Sequence, residues 1–433
     1  MSSPEGEKRK IGAPVNQGLM QAGFFLLVLL SLLSPFMILS DLPGMGESSP
    51  IRQISYLVVF LLLLVAVRPD ADLSRLQPVQ WPILAALAWC WLSLVWAIDK
   101  GSAIRHLILT TIVLWSIFLC VAHLKLDQLL LLVRAALLLL VALNYLVLLV
   151  DPGFAIHSTN DMIELRLAGD WRGMMMHKNY AGALMAMAVL FFTFHARGMW
   201  PALRIGAIAA AGFFLLHSTS KTSVGMVVTA ILVGLLMRHY RFRYRPLMVC
   251  LLTSLGIGVV VLNFIYHNPL KQQWSKPDMF TGRTLIWDMM VRYWQDHPWL
   301  GSGFGSFWNI GDNSPVYKYG KGWVTTIGTG HNGYLDLLVQ TGIIGAVLVI
   351  GACMVWPLVR LLLGKSNSGE RAALLTAVMV FCIGHNFTES SIFDRDAIIN
   401  MFLMLTVALI LKGEGRPSRR VSGFSFHRSV AAT

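Results

Sequence analysis

Charge is what this chain has least of. Only 13% of its 433 residues are Asp, Glu, Lys or Arg, against 56% hydrophobic residues, and the mean hydropathy is +0.63. That balance excludes a soluble globular protein and describes a polytopic membrane protein. Acidic residues are scarcer than basic ones, 22 against 35, for a formal charge of +13. Cytoplasmic loops of membrane proteins accumulate Lys and Arg, and no nucleic-acid motif accompanies the excess, so no nucleic-acid partner is expected. The five cysteines, Cys90, Cys120, Cys250, Cys353 and Cys382, fall in apolar runs without the paired spacing of metal or redox sites, and read as packing residues. Internal repeats are missing, and so are the paired carboxylates of hydrolytic glycosidases. Neither a metal nor a cofactor is expected.

What is present is a series of twelve apolar segments: Leu19–Leu39, Ile54–Val67, Trp81–Ile98, Leu107–Val121, Leu129–Val150, Tyr180–Phe194, Ile205–Leu216, Val224–Met237, Leu247–Ile265, Thr341–Val359, Ala372–Ile383 and Ala397–Leu411. The expected fold class is all-α, with about 12 transmembrane helices. The first run follows Lys8, Arg9 and Lys10 as a signal peptide would, but it is long and has no small-residue cleavage site, so it reads as a retained helix. Basic residues orient the bundle. With the tail 1–18 cytoplasmic, alternate loops carry Arg68 and Arg75, Lys125, Arg197 and Arg204, the RHYRFRYR run at 238–245, then Arg360, Lys365 and Arg371, with the basic tail 413–433 on the same side. Helices 1–9 then occupy 19–265, and an amphipathic segment with helices 10–12 occupies 333–412.

The same orientation puts every motif-like polar segment on the opposite face: 151–179 ending in WRGMMMHKN, HSTSKTS at 217–223, the large loop 266–332 between helices 9 and 10, and HNFTESSIFDRD at 385–396. In the large loop, Leu285, Ile286, Met289, Tyr293 and Trp294 recur at helical spacing, as in an interfacial helix on the membrane surface. Tyr334, Leu335, Leu337 and Leu338 form a second amphipathic stretch leading into the tenth span. GSGFGS at 301–306 spells a phosphate loop, but no strand precedes it and it reads as a flexible turn. Ile205–Leu216 and Ala372–Ile383 are short for a span, so either flanking residues complete them or Lys221 and His385 face a shared recess below the interface.

Lys221 stands among Ser218, Thr219, Ser220 and Thr222, hydroxyls suited to an anion such as a phosphate, and reads equally as a lysine reaching for the interface. His177 in HKNYAG, His331 in HNGYLD, and His385 with Glu389 and Asp394 nearby are either structural hydrogen-bonding groups or proton acceptors suited to neutral pH. Arg172, Lys178 and Arg283 are cations on a face where the positive-inside bias disfavours them in short loops. Arg134, deep in the fifth run, reads as an ion-path residue, a packing residue or a lipid-phosphate contact. NFT at Asn386 is a glycosylation sequon only by spelling.

The segments GRTLIWD, DHPWLGSGFGSF and HNGYLDLLVQTGIIG, with HKNYAG before and HNF after, resemble the O-antigen ligase and Wzy-type polymerase superfamily of bacterial envelope polysaccharide synthesis, most closely its exopolysaccharide polymerase (ExoQ-like) branch. The resemblance covers roughly residues 172–393. It implies a GT-C-like membrane glycosyltransferase of the bacterial inner membrane, working at the periplasmic face by an inverting, metal-independent transfer. The donor would be an undecaprenyl-diphosphate-linked oligosaccharide and the acceptor an oligosaccharide or another lipid-linked unit, with chain-length regulator and export proteins as further partners. By motif, His331 would be the general base and Arg283 would bind the diphosphate. Lys221 stands where many ligases carry arginine, which loses bidentate geometry. Arg172, His177 and Lys178 match the HKN region and His385 the final loop. Polymerase and ligase differ only in the acceptor. A lipid-linked sugar transporter is the competing class, disfavoured because such proteins gather polar groups near the midplane on repeated helices.

Overall fold

Eleven of the twelve apolar segments fall wholly or partly on helices in a computed structural model of the chain, which describes residues 14–33, 50–158, 167–196, 198–244, 282–364, 369–395 and 397–412. The ninth segment, residues 266–281 of the large loop, the first 13 residues and the tail 413–433 lie outside the described residues. In chain order the long helices are α1 (Gln17–Leu33), α2 (Pro50–Val67), α3 (Trp81–Leu92), α4 (Lys100–His123), α5 (Leu126–Val150), α6 (Lys178–Thr193), α7 (Pro201–His217), α8 (Lys221–Arg238), α9 (Arg283–Asp296), α10 (Gly333–Ile350, continuing to Leu363), α11 (Glu370–His385) and α12 (Ile398–Lys412). Among the described residues, extended pairing is limited to an isolated bridge between Ile156 and Trp171.

Five of these, α2, α4, α5, α8 and α10, are long and apolar enough to cross a bilayer, and the chain is a multi-pass membrane protein. On α2, Ile51, Ile54, Val58, Leu61 and Val65 stand exposed at helical spacing, a stripe no soluble protein would leave bare and one that lipid would cover. Flanking residues do extend the two short segments: α7 reaches 17 residues and α11 reaches 16.

A helix apolar on every side belongs in the interior. Helix α12 is such a helix: every residue from Ile398 to Leu411 is buried, against α1, α4, α6 and α11. Helices α8 and α11 run along each other in the closest pairing of the bundle. Small residues allow it: a Cβ on Gly384 would overlap Met226, and one on Gly234 would press on Phe194 and Ala377. This pairing fixes the start of α8 against the end of α11.

At the other end of the bundle the basic residues close helix termini. The last carbonyls of a helix have no intrahelical partner, and cations there also meet the negative end of the dipole. Arg75 donates to Val67 O of α2, Lys412 to Val121 O and Leu124 O at the end of α4, Arg371 to Leu409 O of α12, and Arg204 to Phe192 O and Thr193 O of α6. Arg134 donates to Phe191 O at 2.9 Å, Phe194 O at 3.2 Å and His195 O at 2.7 Å. Of the three readings of Arg134, the structure supports packing: it caps α6. Arg134→Leu should therefore lower stability by about 3 kcal/mol or more, because buried carbonyls lose their donor, while folded protein keeps its specific activity. Thermal unfolding of the purified variant in detergent checks this.

The large loop has a core of its own. Helix α9 begins one residue after Gly282, whose φ of +85° suits glycine. Its face Ile286, Met289, Met290 and Tyr293 packs on Phe307, Val316, Val324 and Val339. The expected amphipathic helix is present, but its apolar face turns into this core and not onto a membrane surface. The GSGFGS segment is likewise not a flexible turn. Residues 302–306 are buried, with Ser302 N bonded to Val339 O, Phe304 N to Ser93 Oγ and Gly305 N to Gln340 Oε1. Its glycines permit close approach: a Cβ on Gly303 would strike Ala97, and one on Gly305 would strike His106.

Helix α10 is broken at Gly342, with φ +64° and ψ −176°. The carbonyl of Trp299 occupies the place a Cβ on Gly342 would need, and Ile343 N, freed by the break, donates to Pro298 O at 2.9 Å. Residues 333–341 form the polar-faced first part, and the remainder to Leu363 covers roughly 30 Å at the helical rise, the thickness of a hydrocarbon core.

Candidate active site

Three of the motifs are helix beginnings. His177 is the N-cap of α6, its Nδ1 accepting from Asn179 N at 3.1 Å. Ser220 is the N-cap of α8, its hydroxyl donating to Ser223 Oγ at 3.0 Å. Asn332 is the N-cap of α10, its Oδ1 accepting from Tyr334 N and Leu335 N at 3.1 Å each. The His177 ring nitrogen and the Asn332 side-chain oxygen satisfy amides that a helix start leaves open, whereas the Ser220 hydroxyl is spent on Ser223. The three ends converge on the 385–391 loop, so three positive dipole ends face one place.

The loop is organised by Asn386, which is fully buried, so the NFT spelling is inaccessible. Its Oδ1 accepts from Ser391 N and Ser391 Oγ at 2.9 Å each. Gly333 N donates to Asn386 O at 2.9 Å and Glu389 O at 3.0 Å. A Cβ on Gly333 would sit 2.4 Å from Asn386 Oδ1, which is why the HNG motif ends in glycine.

Glu389 is the centre of the arrangement. Its Oε1 accepts from Arg283 Nη2 at 2.9 Å and from Asn179 Nδ2 at 2.6 Å, and its Oε2 lies 3.4 Å from His331 Nδ1. Arg283 Nη1 also donates to Thr388 O. Thr222 and Thr388 share a hydrogen bond at 2.7 Å, and Ser223 Oγ lies 3.4 Å from His385 Nε2. The starts of α6, α9 and α10 thus meet the loop after α11 at one carboxylate, and α8 holds the neighbouring Thr388 and His385. Burial alone would raise the Glu389 carboxyl, but the His331 hydrogen bond and the nearby charges of Arg283, His331 and His385 outweigh it and hold the group at about 2. It is therefore an anion at neutral pH, 17% exposed and facing an imidazole. His331 itself has φ +48°, a left-handed conformation uncommon in residues other than glycine and concentrated at functional sites.

A cavity of about 150 Å³ opens on this group, lined by His331, His385, Glu389 and Asn179 with Arg52 and Arg395. With Nδ1–H directed at Glu389, Nε2 of His331 is the nitrogen left to accept a proton, and the carboxylate would stabilise the imidazolium formed.

Residues 205–350 match the family model for O-antigen ligase. The exopolysaccharide production protein ExoQ of Rhizobium meliloti (strain 1021) is 26% identical over 192 residues, 41% of this chain and 43% of that protein. The middle third of the chain is thus similar to the O-antigen ligase family, and part of it to an exopolysaccharide production protein. The alignment spans less than half of that relative's length.

In the structure, the expected site residues divide. His331, Arg283 and His385 are brought together at the Glu389 loop. Lys178 approaches it through Thr219, to which it donates at 3.1 Å, and is paired with Asp170 at 2.6 Å. Lys221 is exposed at the first residue of α8. It does not line the cavity that His385 lines, so the two do not share one recess in the described structure. Arg172 and His177 serve the backbone: Arg172 is buried, its Nε donating to Phe154 O at 2.9 Å, and His177 caps α6. Glu389, Asn179, Arg52 and Arg395 were not among the expected site residues. Asn179 was in plain view as the third letter of HKN. In the sequence, Glu389 reads only as a partner of His385. Arg52 and Arg395 stand near helix starts beside the cavity, and in the expected orientation a short-loop cation there runs against the positive-inside bias, which is the available signal.

Proposed function

We propose that this protein is a membrane glycosyltransferase that polymerises undecaprenyl-diphosphate-linked oligosaccharide repeats at the periplasmic face of the inner membrane. The observation that carries the reading is the Arg283–Glu389–His331 group beside a cavity at the ends of three motif-bearing helices. The acceptor hydroxyl attacks the anomeric carbon of the donor sugar and its proton passes to His331 Nε2. The bond from that carbon to the diphosphate oxygen breaks, the oxygen keeping the electron pair, and the anomeric centre inverts. Glu389 orients the imidazole and balances its charge. Arg283, which pairs with Glu389, turns to the diphosphate when donor binds, joined by Lys221 and Lys178 from the starts of α8 and α6. Fixed cations of this kind stabilise a leaving anion without a metal.

The family description also supports a second reading, a ligase that moves lipid-linked polysaccharide to a lipid A core or another acceptor. A host deleted for the gene separates the two. Single repeats stranded on undecaprenyl diphosphate, returned to long chains by wild-type protein, are the expected result. Long lipid-linked chains that accumulate unattached would make it a ligase, and an unaltered lipid-linked pool would overturn both readings.

A further inference from the structure

The cavity at His331 is too small for the body of a sugar chain. At about 150 Å³ it falls below the roughly 300–1,000 Å³ of pockets that enclose whole ligands, and it admits a reacting hydroxyl and little more. A second cavity of about 450 Å³ adjoins it, and Tyr180, Thr329, Ser390, Ser391, Asp394 and Arg395 line both. Its farther walls come from α2 (Gln53), α4 (Arg105, His106), the buried glycine segment (Phe304, Gly305) and α10 (Gln340). None of Arg283, Lys221 and Lys178 lines it, so it is approached from different elements than the expected diphosphate cations.

The walls suit a saccharide. Trp308 presents a ring whose Nε1 is bonded to Asp336 Oδ1 at 2.6 Å, and Gln53, Asn309 and Gln340 bring amides. The charges are unequal in availability. Asp336 is committed to Trp308 and Gly330 N, and Asp394 lies 3.4 Å from Arg395 Nε. Arg105 is exposed and makes no ion pair among the described residues.

We propose that this second cavity binds the acceptor saccharide, delivering its hydroxyl to His331 through the shared wall, and that Arg105 selects an acceptor bearing a carboxylate. The proposal rests on the polymerase reading and adds to it a subsite, a charge preference and a specificity residue. The buried glycine segment gains a purpose: with no side chain at 305, it closes on His106 of α4 while leaving the cavity open.

The test uses purified full-length protein in proteoliposomes, lipid-linked repeat extracted from the deletion host as donor, and lipid-free repeat oligosaccharide, labelled at its reducing end, as acceptor. Arg105→Glu should raise the half-saturating acceptor concentration at least tenfold, the loss of a charge-assisted hydrogen bond, with the half-saturating donor concentration within twofold of wild type. Arg105→Lys should recover most of the loss. Reducing the acceptor's carboxylates to alcohols should impose the same penalty on wild type and none further on Arg105→Glu. Unchanged acceptor saturation in Arg105→Glu, a loss on the donor side instead, or a repeat unit without a carboxylate would each overturn the proposal while leaving the polymerase reading intact. Wild-type protein that transfers nothing to the oligosaccharide would overturn both.

Discussion

His331→Asn should reduce polymerisation by about 10³-fold, within the range removed with a general base, while the lipid-linked donor still binds within a few-fold of its wild-type affinity. Asparagine is the informative replacement because residue 331 sits at φ +48°. Asn tolerates that conformation, whereas alanine would add roughly 1 kcal/mol of backbone strain and confuse folding with chemistry. The measurement is transfer rate and donor binding on purified protein at matched quantity. A loss confined to donor binding would assign His331 to recognition and leave the base unidentified.

Glu389→Gln should cost about 10²-fold or more in rate, because an amide neither fixes the imidazole tautomer nor balances an imidazolium. It should also destabilise the fold by about 3–5 kcal/mol, the range for removing one partner of a buried pair, since Arg283 at 16% exposure loses its counter-ion. The pH dependence has a definite sign. The Glu389 carboxyl titrates at about 2 when folded, against 4.5 ordinarily. Its stabilising contribution is therefore complete above about pH 4.5 and disappears as pH falls toward 2. Melting curves of wild type and Glu389→Gln should lie far apart at pH 7 and draw together below pH 4. A gap that stays constant through this window would show that the carboxylate is not held by the Arg283 and His331 charges.

Much of the bundle is legible in residue order because its rules are local. Apolar runs of the right length make helices, and RHYRFRYR marks one end. The HNG, HKN and STSKTS motifs sit at helix starts, where short polar side chains are needed by any helix. What stayed hidden depends on long-range pairing. Glu389 meets partners 58, 106 and 210 residues away, and nothing local to TES distinguishes it from Asp394. Arg172 reads as a site cation because its type and loop are right, yet its guanidinium is committed to the carbonyl of Phe154. GSGFGS reads as loose because glycine permits freedom, although here it permits contact.

The break at Gly342 ties the large loop to a span, and its consequence is vertical. With Trp299 O seated at the break and Trp299 itself 65% exposed, the loop core, His331 and both cavities are tied to the start of the apolar part of α10. In the proposed reaction, a donor whose diphosphate rides at the headgroup level would have to meet His331 at that height, whatever the length of its sugar chain. Bilayer thickness would then be a variable of the proposed reaction, because lipids that shift α10 up or down would carry His331 past the anomeric carbon.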